Sequence, residues 1–310
     1  MIPPPELAGW VSPAARIHFD TVVRQPTALP KDIEGRRRHY DAINSARLEE
    51  ALRSYPVEVV ARTIGGVPVH DVAPAGVRCK GVLICLHGGA FLWGAGAGAV
   101  LEAVPVAATT GMRVVAVDYR LAPEHRFPAA VDDALAVYAA LLAEADEPIG
   151  IYGCSAGAYL TAQLVARLAA EGRPVPQAIA LLHGSGVDVG GDTLALAGQL
   201  NGLPGAADIQ RMHDLPYFDG SDPHDPLVFP GDHPTMLAAF PSTLLITGTR
   251  DFAASSVAVM HRRLLAADVD ARFVLFDGLW HAHHVDTLLP ESQEAFALMA
   301  AHFSAHLCER

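Results

Sequence analysis

"PIGIYGCSAGAYLTAQLVARLAAEG", residues 148–172, joins two grammars without a spacer. Its first residues are apolar and β-prone, and its tail repeats apolar residues at helical spacing. Between them Ser155 stands two residues from Gly153 and two from Gly157. A strand that becomes a helix across Gly-x-Ser-x-Gly predicts a tight elbow with the serine at its tip. The glycines are needed there because side chains would strike the turn. The helix N-terminus then aims its free N–H groups and partial positive charge at the serine. A merely structural glycine-serine turn uses the same letters, so the rest of the chain has to decide.

The alternation extends in both directions from the elbow. Strands are predicted at 57–63, 67–73, 81–88, 113–120, 148–153, 178–184, 242–248 and 271–278. Helices are predicted at about 97–109, 129–146, 156–171, 253–267 and 291–306. The middle strands are nearly continuous apolar runs, the pattern of a mainly parallel sheet covered by helices on both faces. The first two strands read as an antiparallel hairpin across 64–66. Residues 1–55 differ: after a proline-rich start they mix charge with apolar residues at helical spacing, with Ile33, Tyr40, Ile43, Leu48 and Leu52 on one predicted face. Residues 56–310 form the main domain. Within it, 185–240 is rich in Gly, Pro, Asp and His, and is too long for a simple connection. It reads as an insertion, the second part of a cap begun by 1–55.

A strand-helix elbow can serve several chemistries, and composition removes some of them. The chain has 310 residues, 51% hydrophobic and 18% charged, enough for a substantial core. Its formal charge of -12 opposes nucleic acid as a partner. Arg36-Arg37-Arg38 is the one short basic cluster, and its mixed-charge setting reads as a solvated helix face. No run of about 18 uncharged apolar residues is present, so no membrane span is expected. Cys79, Cys85, Cys154 and Cys308 have no CxxC spacing, which predicts reduced thiols and a cytoplasmic protein without a secretory leader.

A nucleophilic serine needs a base, an acid to orient it and an oxyanion hole. "LHGGAFLWG", residues 86–94, follows a strand and exposes consecutive backbone N–H groups; Gly88 and Gly89 are candidate donors, with Ala156 as a third. A phosphate loop would need a Gly-Lys-Ser/Thr ending, which is absent. Asp251 lies just past the strand "STLLITG", where it could be the acid or only a helix N-cap. After the last strand comes "GLWHAHH", in which His281, His283 and His284 compete as base. Clustered histidines also suit a metal, but no carboxylate or cysteine cluster accompanies them in sequence, and no cofactor is expected.

The motifs "HGGAFLWG", "DYRLAPEHRFPAAVDDA" (118–134), "GCSAG" and "GLWHA" together resemble the hormone-sensitive-lipase-like (family IV) bacterial esterases of the α/β-hydrolase fold. The likeness runs from about residue 80 to the end. It implies a serine carboxylesterase for short- to medium-chain apolar esters, with Ser155 as nucleophile, Asp251 as acid and His281 as base. It also implies Gly88, Gly89 and Ala156 as the hole and no cofactor, and it allows a homodimer. Gly278-Leu279-Trp280-His281 matches the family's Gly-Met-x-His, which selects His281. His87, Tyr119, Arg120 and Glu124 are expected to shape loops rather than react. Three departures stand out. Ala90 replaces a third glycine, Cys154 replaces a common aspartate, and "DFAASSV" lacks the family's second acid. A lactone hydrolase, a peptidase and a non-catalytic binding homologue are the competing readings. Cys154, beside a helix N-terminus, is either a thiol with a lowered pKa or a small buried filler. Trp10, Phe19, Tyr217, Phe218, Phe91 and Trp93 are the candidate apolar lining.

Overall fold

A computed structural model describes residues 4–24, 29–76, 79–144, 147–201 and 211–308. Its centre is one eight-stranded sheet in the order β1-β2-β4-β3-β5-β6-β7-β8. The strands are β1 (Val57–Ile64), β2 (Val67–Pro74), β3 (Val82–Leu86), β4 (Arg113–Val117), β5 (Ile149–Cys154), β6 (Ala178–Leu182), β7 (Ser242–Arg250) and β8 (Ala271–Trp280). β2 runs antiparallel to both of its neighbours, and every pair from β4 to β8 is parallel. Every residue of β3, β5 and β6 is buried, which explains their unbroken apolar runs.

Helices cover both faces. The described α-helices are α1 (Pro13–His18), α2 (Ile33–Ser54), α3 (Ala97–Thr110), α4 (Ala129–Glu144), α5 (Ala156–Ala170), α6 (Asp192–Asn201), α7 (Pro234–Leu237), α8 (Ala254–Ala266) and α9 (Pro290–Leu307). One core joins α4, α5 and α8 to the sheet, and the other joins α1, α3 and α9. Register aligns Leu86 with Val117 and Gly153, and Leu182 with Cys154 and Ile246. The carboxyl ends of β3, β5, β6 and β7 therefore lie side by side, where open parallel sheets gather their functional loops.

Four expectations change. Cys79 and Cys308 form a disulfide, with Cα atoms 5.5 Å apart, leaving Cys85 and Cys154 as buried free thiols. The chain brings together two cysteines 229 residues apart, a pairing without local signal. With that bridge closed, cysteine usage no longer argues for a reducing compartment. Leu52 does not join the packed face of α2 and is 43% exposed. Arg37 is not a solvated charge: it donates to the carbonyls of Leu92 and Ala122 and to the Glu124 carboxylate. Tyr217 and Phe218 sit in the core, Tyr217 stacked on Phe91 at 4.0 Å between centroids, rather than facing a pocket. Residues 202–210 of the expected insertion lie outside the described residues. No described helix is long and apolar enough to cross a membrane.

Candidate active site

Ser155 caps α5 with φ 52° and ψ -120°, a left-handed conformation that strains a residue with a side chain. The elbow closes because Gly153 and Gly157 lack Cβ atoms. A Cβ on Gly157 would overlap the Leu86 carbonyl, and one on Gly153 the Gly157 carbonyl. The Ser155 N–H donates to the Leu182 carbonyl at 2.8 Å, which pins the elbow to the end of β6.

His281 directly follows β8. Its Nε2 lies 3.0 Å from Ser155 Oγ, and its Nδ1 lies 2.7 Å from Asp251 Oδ1. Phe252 stacks on the ring at 4.1 Å. His283 and His284 are buried instead, and burial pushes both imidazoles well below their ordinary pKa. Asp251 has no exposed side-chain surface. Its Oδ1 also accepts the N–H of Ala253, the residue that caps α8, at 2.8 Å, so Asp251 faces His281 without itself being the N-cap. Burial alone would raise its pKa. The charge on His281 and hydrogen bonds from His183 and His281 outweigh that and hold it well below the carboxylate range.

The oxyanion loop carries one difference from expectation. Gly88 N–H is already engaged, donating to Glu102 Oε1 at 2.8 Å. Among the described residues, the N–H groups of Gly89, Ala90 and Ala156 have no protein acceptor. Gly89, Ala90 and Phe91 have φ of 122°, 54° and 59°. This run of left-handed residues turns the loop back on itself, and buried Phe91 holds it by its stack on Tyr217. His87 Nδ1 donates to the Gly88 carbonyl at 2.7 Å and its ring stacks on Tyr119, whose hydroxyl donates to the His87 carbonyl at 2.6 Å. Arg120 pairs with Asp133, and Glu124 with Arg37. These groups shape the loop's surroundings and stand apart from Ser155 Oγ.

A cavity of about 330 Å³ opens over Ser155 and His281. Tyr40, Asn44 and Arg47 of α2 line it, with Gly89, Ala90, Trp93, Phe252 and Val285. Of the aromatic residues expected to line it, Trp93 does. Trp10 is 79% exposed, and Phe19 is buried against Trp280. No described residue of 185–240 lines it. The motifs could not supply His183, Glu102 or the α2 contacts. His183 is the penultimate residue of the predicted strand 178–184, and Glu102 is a lone acid in an apolar helix; those were the available signals. Two buried or half-buried sets bring ligand atoms within 4.8 Å of one another: Glu102, Cys154 and His284, and His183, Asp251 and His281. In the second, both imidazoles already hydrogen-bond the carboxylate.

This geometry defines a hydrolase site on an α/β sheet, and the comparisons agree. Residues 83–285 match the family model described as alpha/beta hydrolase fold. An acetyl-hydrolase of Streptomyces hygroscopicus is 30% identical over 282 residues, covering 87% of this chain and 89% of that protein. The solved structure of an esterase designated E25 superposes with a TM-score of 0.83 at 29% identity, covering 99% and 98% of the two chains. An esterase from the bacterial hormone-sensitive lipase family gives 0.84 at 25% identity, covering 96% and 99%. The chain belongs to the α/β-hydrolase family, among its hormone-sensitive-lipase-like esterases, and is a carboxylic ester hydrolase.

Proposed function

We propose that Ser155 is the nucleophile, His281 the general base and Asp251 the acid that orients it. The observation that carries this is the continuous path from Ser155 Oγ through the His281 ring to Asp251 Oδ1, with steps of 3.0 and 2.7 Å. The hole is assigned to the N–H groups of Gly89, Ala90 and Ala156, with Gly88 committed to Glu102. Ser155 Oγ attacks the ester carbonyl while His281 Nε2 takes its proton. The tetrahedral oxyanion is held by the free N–H groups, each worth on the order of a hundred- to thousand-fold in rate. His281 then returns the proton to the leaving alcohol, and a water activated by the same nitrogen frees the acid. Asp251 stays ionised throughout.

Short acyl chains are the proposed substrates. The cavity lies at the small end of ligand pockets, which run from roughly 300 Å³, and the Streptomyces relative is an acetyl-hydrolase by name. α2 is proposed as the cap, because Tyr40, Asn44 and Arg47 form one wall. The test is a hydrolysis screen over p-nitrophenyl esters of increasing chain length and over lactones, with Ser155→Ala as blank. Turnover should be highest on the shortest acyl chains and fall by about 10⁶ in Ser155→Ala and comparably in His281→Ala. His283→Ala should lose far less. Full activity without Ser155 would sink the assignment, and a preference for lactones over all open-chain esters would replace the substrate class.

A further inference from the structure

The acid of the triad carries more donors than ester hydrolysis requires. Oδ1 accepts from His281 Nδ1 at 2.7 Å and from Ala253 N–H at 2.8 Å. Oδ2 accepts from His183 Nδ1 and from Thr247 Oγ1, each at 2.7 Å. Four donors fill the four or so lone-pair sites of a carboxylate. His183 comes from the end of β6, a strand that supplies no triad member. Its backbone is left-handed at φ 54°, and its N–H donates to the Ile246 carbonyl at 2.8 Å. The residue before it, Leu182, accepts the Ser155 N–H. One strand end therefore braces the nucleophile and the acid together.

The surroundings fix the proton on His183. The ring is fully buried, facing Asp251 at Nδ1 and the rings of His281, His283 and His284 at 5.6, 4.9 and 5.5 Å. Nε2 has no hydrogen-bond partner among the described residues. An ionised carboxylate only accepts, so Nδ1 bears the hydrogen and Nε2 a lone pair. A second proton would sit on a buried nitrogen with no acceptor. Burial accordingly holds the imidazole below its ordinary pKa, against the pull of the Asp251 carboxylate.

We propose that His183 is a positioning residue, a neutral imidazole protonated at Nδ1 that locks Asp251 Oδ2 so that Oδ1 stays aimed at His281. This rests on the triad assigned above. The terminal torsion of an aspartate is soft; without His183 the Thr247 hydroxyl, itself free to rotate, is the remaining side-chain donor on Oδ2, and the carboxylate can turn away from its histidine. His183 acts through Asp251 rather than on substrate.

The native full-length enzyme tests this first, by ¹⁵N-histidine NMR with the His183 signal identified from His183→Asn. His183 should remain the Nδ1–H tautomer across the range in which a free imidazole titrates. Titration within that range, or the Nε2–H tautomer, overturns the proposal. Kinetics on p-nitrophenyl acetate come second. His183→Leu should lower kcat by about ten- to hundred-fold with KM unchanged. It should also move the acid limb of the kcat/KM profile downward, because a carboxylate that turns from His281 holds its imidazolium less tightly. His183→Asn returns a side-chain N–H near the Nδ1 position, and should recover most of the rate and the native limb. Equal losses in both variants with an unmoved limb mean packing alone and sink the idea. If His183→Leu does not fold, the Asn variant and the tautomer decide. A fully active Ser155→Ala enzyme would instead break the triad reading, and the His183 tautomer would still be read separately.

Discussion

At the scale of single residues, the oxyanion loop depends on a buried acid. Glu102 accepts the Gly88 N–H through Oε1, while its Oε2 has no hydrogen-bond partner among the described residues. Burial lifts its pKa to about 8, with the Gly88 bond pulling the other way. The folded protein thus keeps a proton that the unfolded chain releases near the ordinary value of 4.5. Stability from this group is fully present below that value and is lost as pH rises toward about 8. Glu102→Gln keeps an oxygen for Gly88 and removes the titration. Its melting temperature should fall less than the wild type's between mildly acidic and mildly alkaline buffer. At the alkaline end it should be the more stable protein, by up to a few kcal/mol. Parallel melting curves across that range would show that Glu102 is not held neutral. The neighbouring Cys154 follows the same physics: burial pushes its thiol well above the ordinary pKa, which disfavours the thiolate form.

At the scale of elements, α2 and the loop after β3 behave as one piece. Arg37 donates to Leu92 and Ala122 carbonyls at 2.8 Å each and forks onto Glu124, whose carboxyl it draws down to about 2. Tyr40 stacks on Trp93 at 4.5 Å one turn further along. Arg37→Ala should leave two carbonyls without these donors and loosen the loop that carries Gly89 and Ala90. We expect kcat/KM to drop several-fold and stability by about 1 kcal/mol, read by ester kinetics and thermal melts. Arg37→Lys should recover little, since an ammonium cannot reproduce the planar fork. Unchanged kinetics in Arg37→Ala would mean that the loop stands without α2. None of this was legible locally: Arg36-Arg37-Arg38 in sequence is a charge run, and only the fold brings one of the three to a carbonyl 55 residues away.

At the scale of the whole molecule, legibility follows how local the cause is. The sheet could be read because β3, β5 and β6 are buried on both faces and must be apolar throughout. The elbow could be read because Gly153, Ser155 and Gly157 act within one turn. The engagement of the Gly88 N–H could not, because its acceptor is a side chain 14 residues on. Nor could His183, which meets Asp251 across 68 residues. The N-terminal segment illustrates the same limit, since its apolar residues do not all face the substrate. Phe19 is 2% exposed, lies 6.0 Å from the ring of Trp280, and carries the Arg250 guanidinium 4.6 Å above its face. Trp280 precedes His281 and Arg250 precedes Asp251, so Phe19 backs the immediate neighbours of two residues of the proposed triad. His18 and Arg47 both pair with Asp286, just beyond the histidine turn. The segment therefore packs behind these strand ends as well as lining the cavity through α2. A simple lid variant would alter KM and leave the core intact. Phe19→Ala should instead cost about 3–5 kcal/mol of stability and lower kcat, because the strand ends that bear Asp251 and His281 lose their shared support. Thermal melting and ester kinetics on the same preparation separate the two. A change confined to KM, with the native melting temperature, would return residues 1–55 to the role of a cap alone.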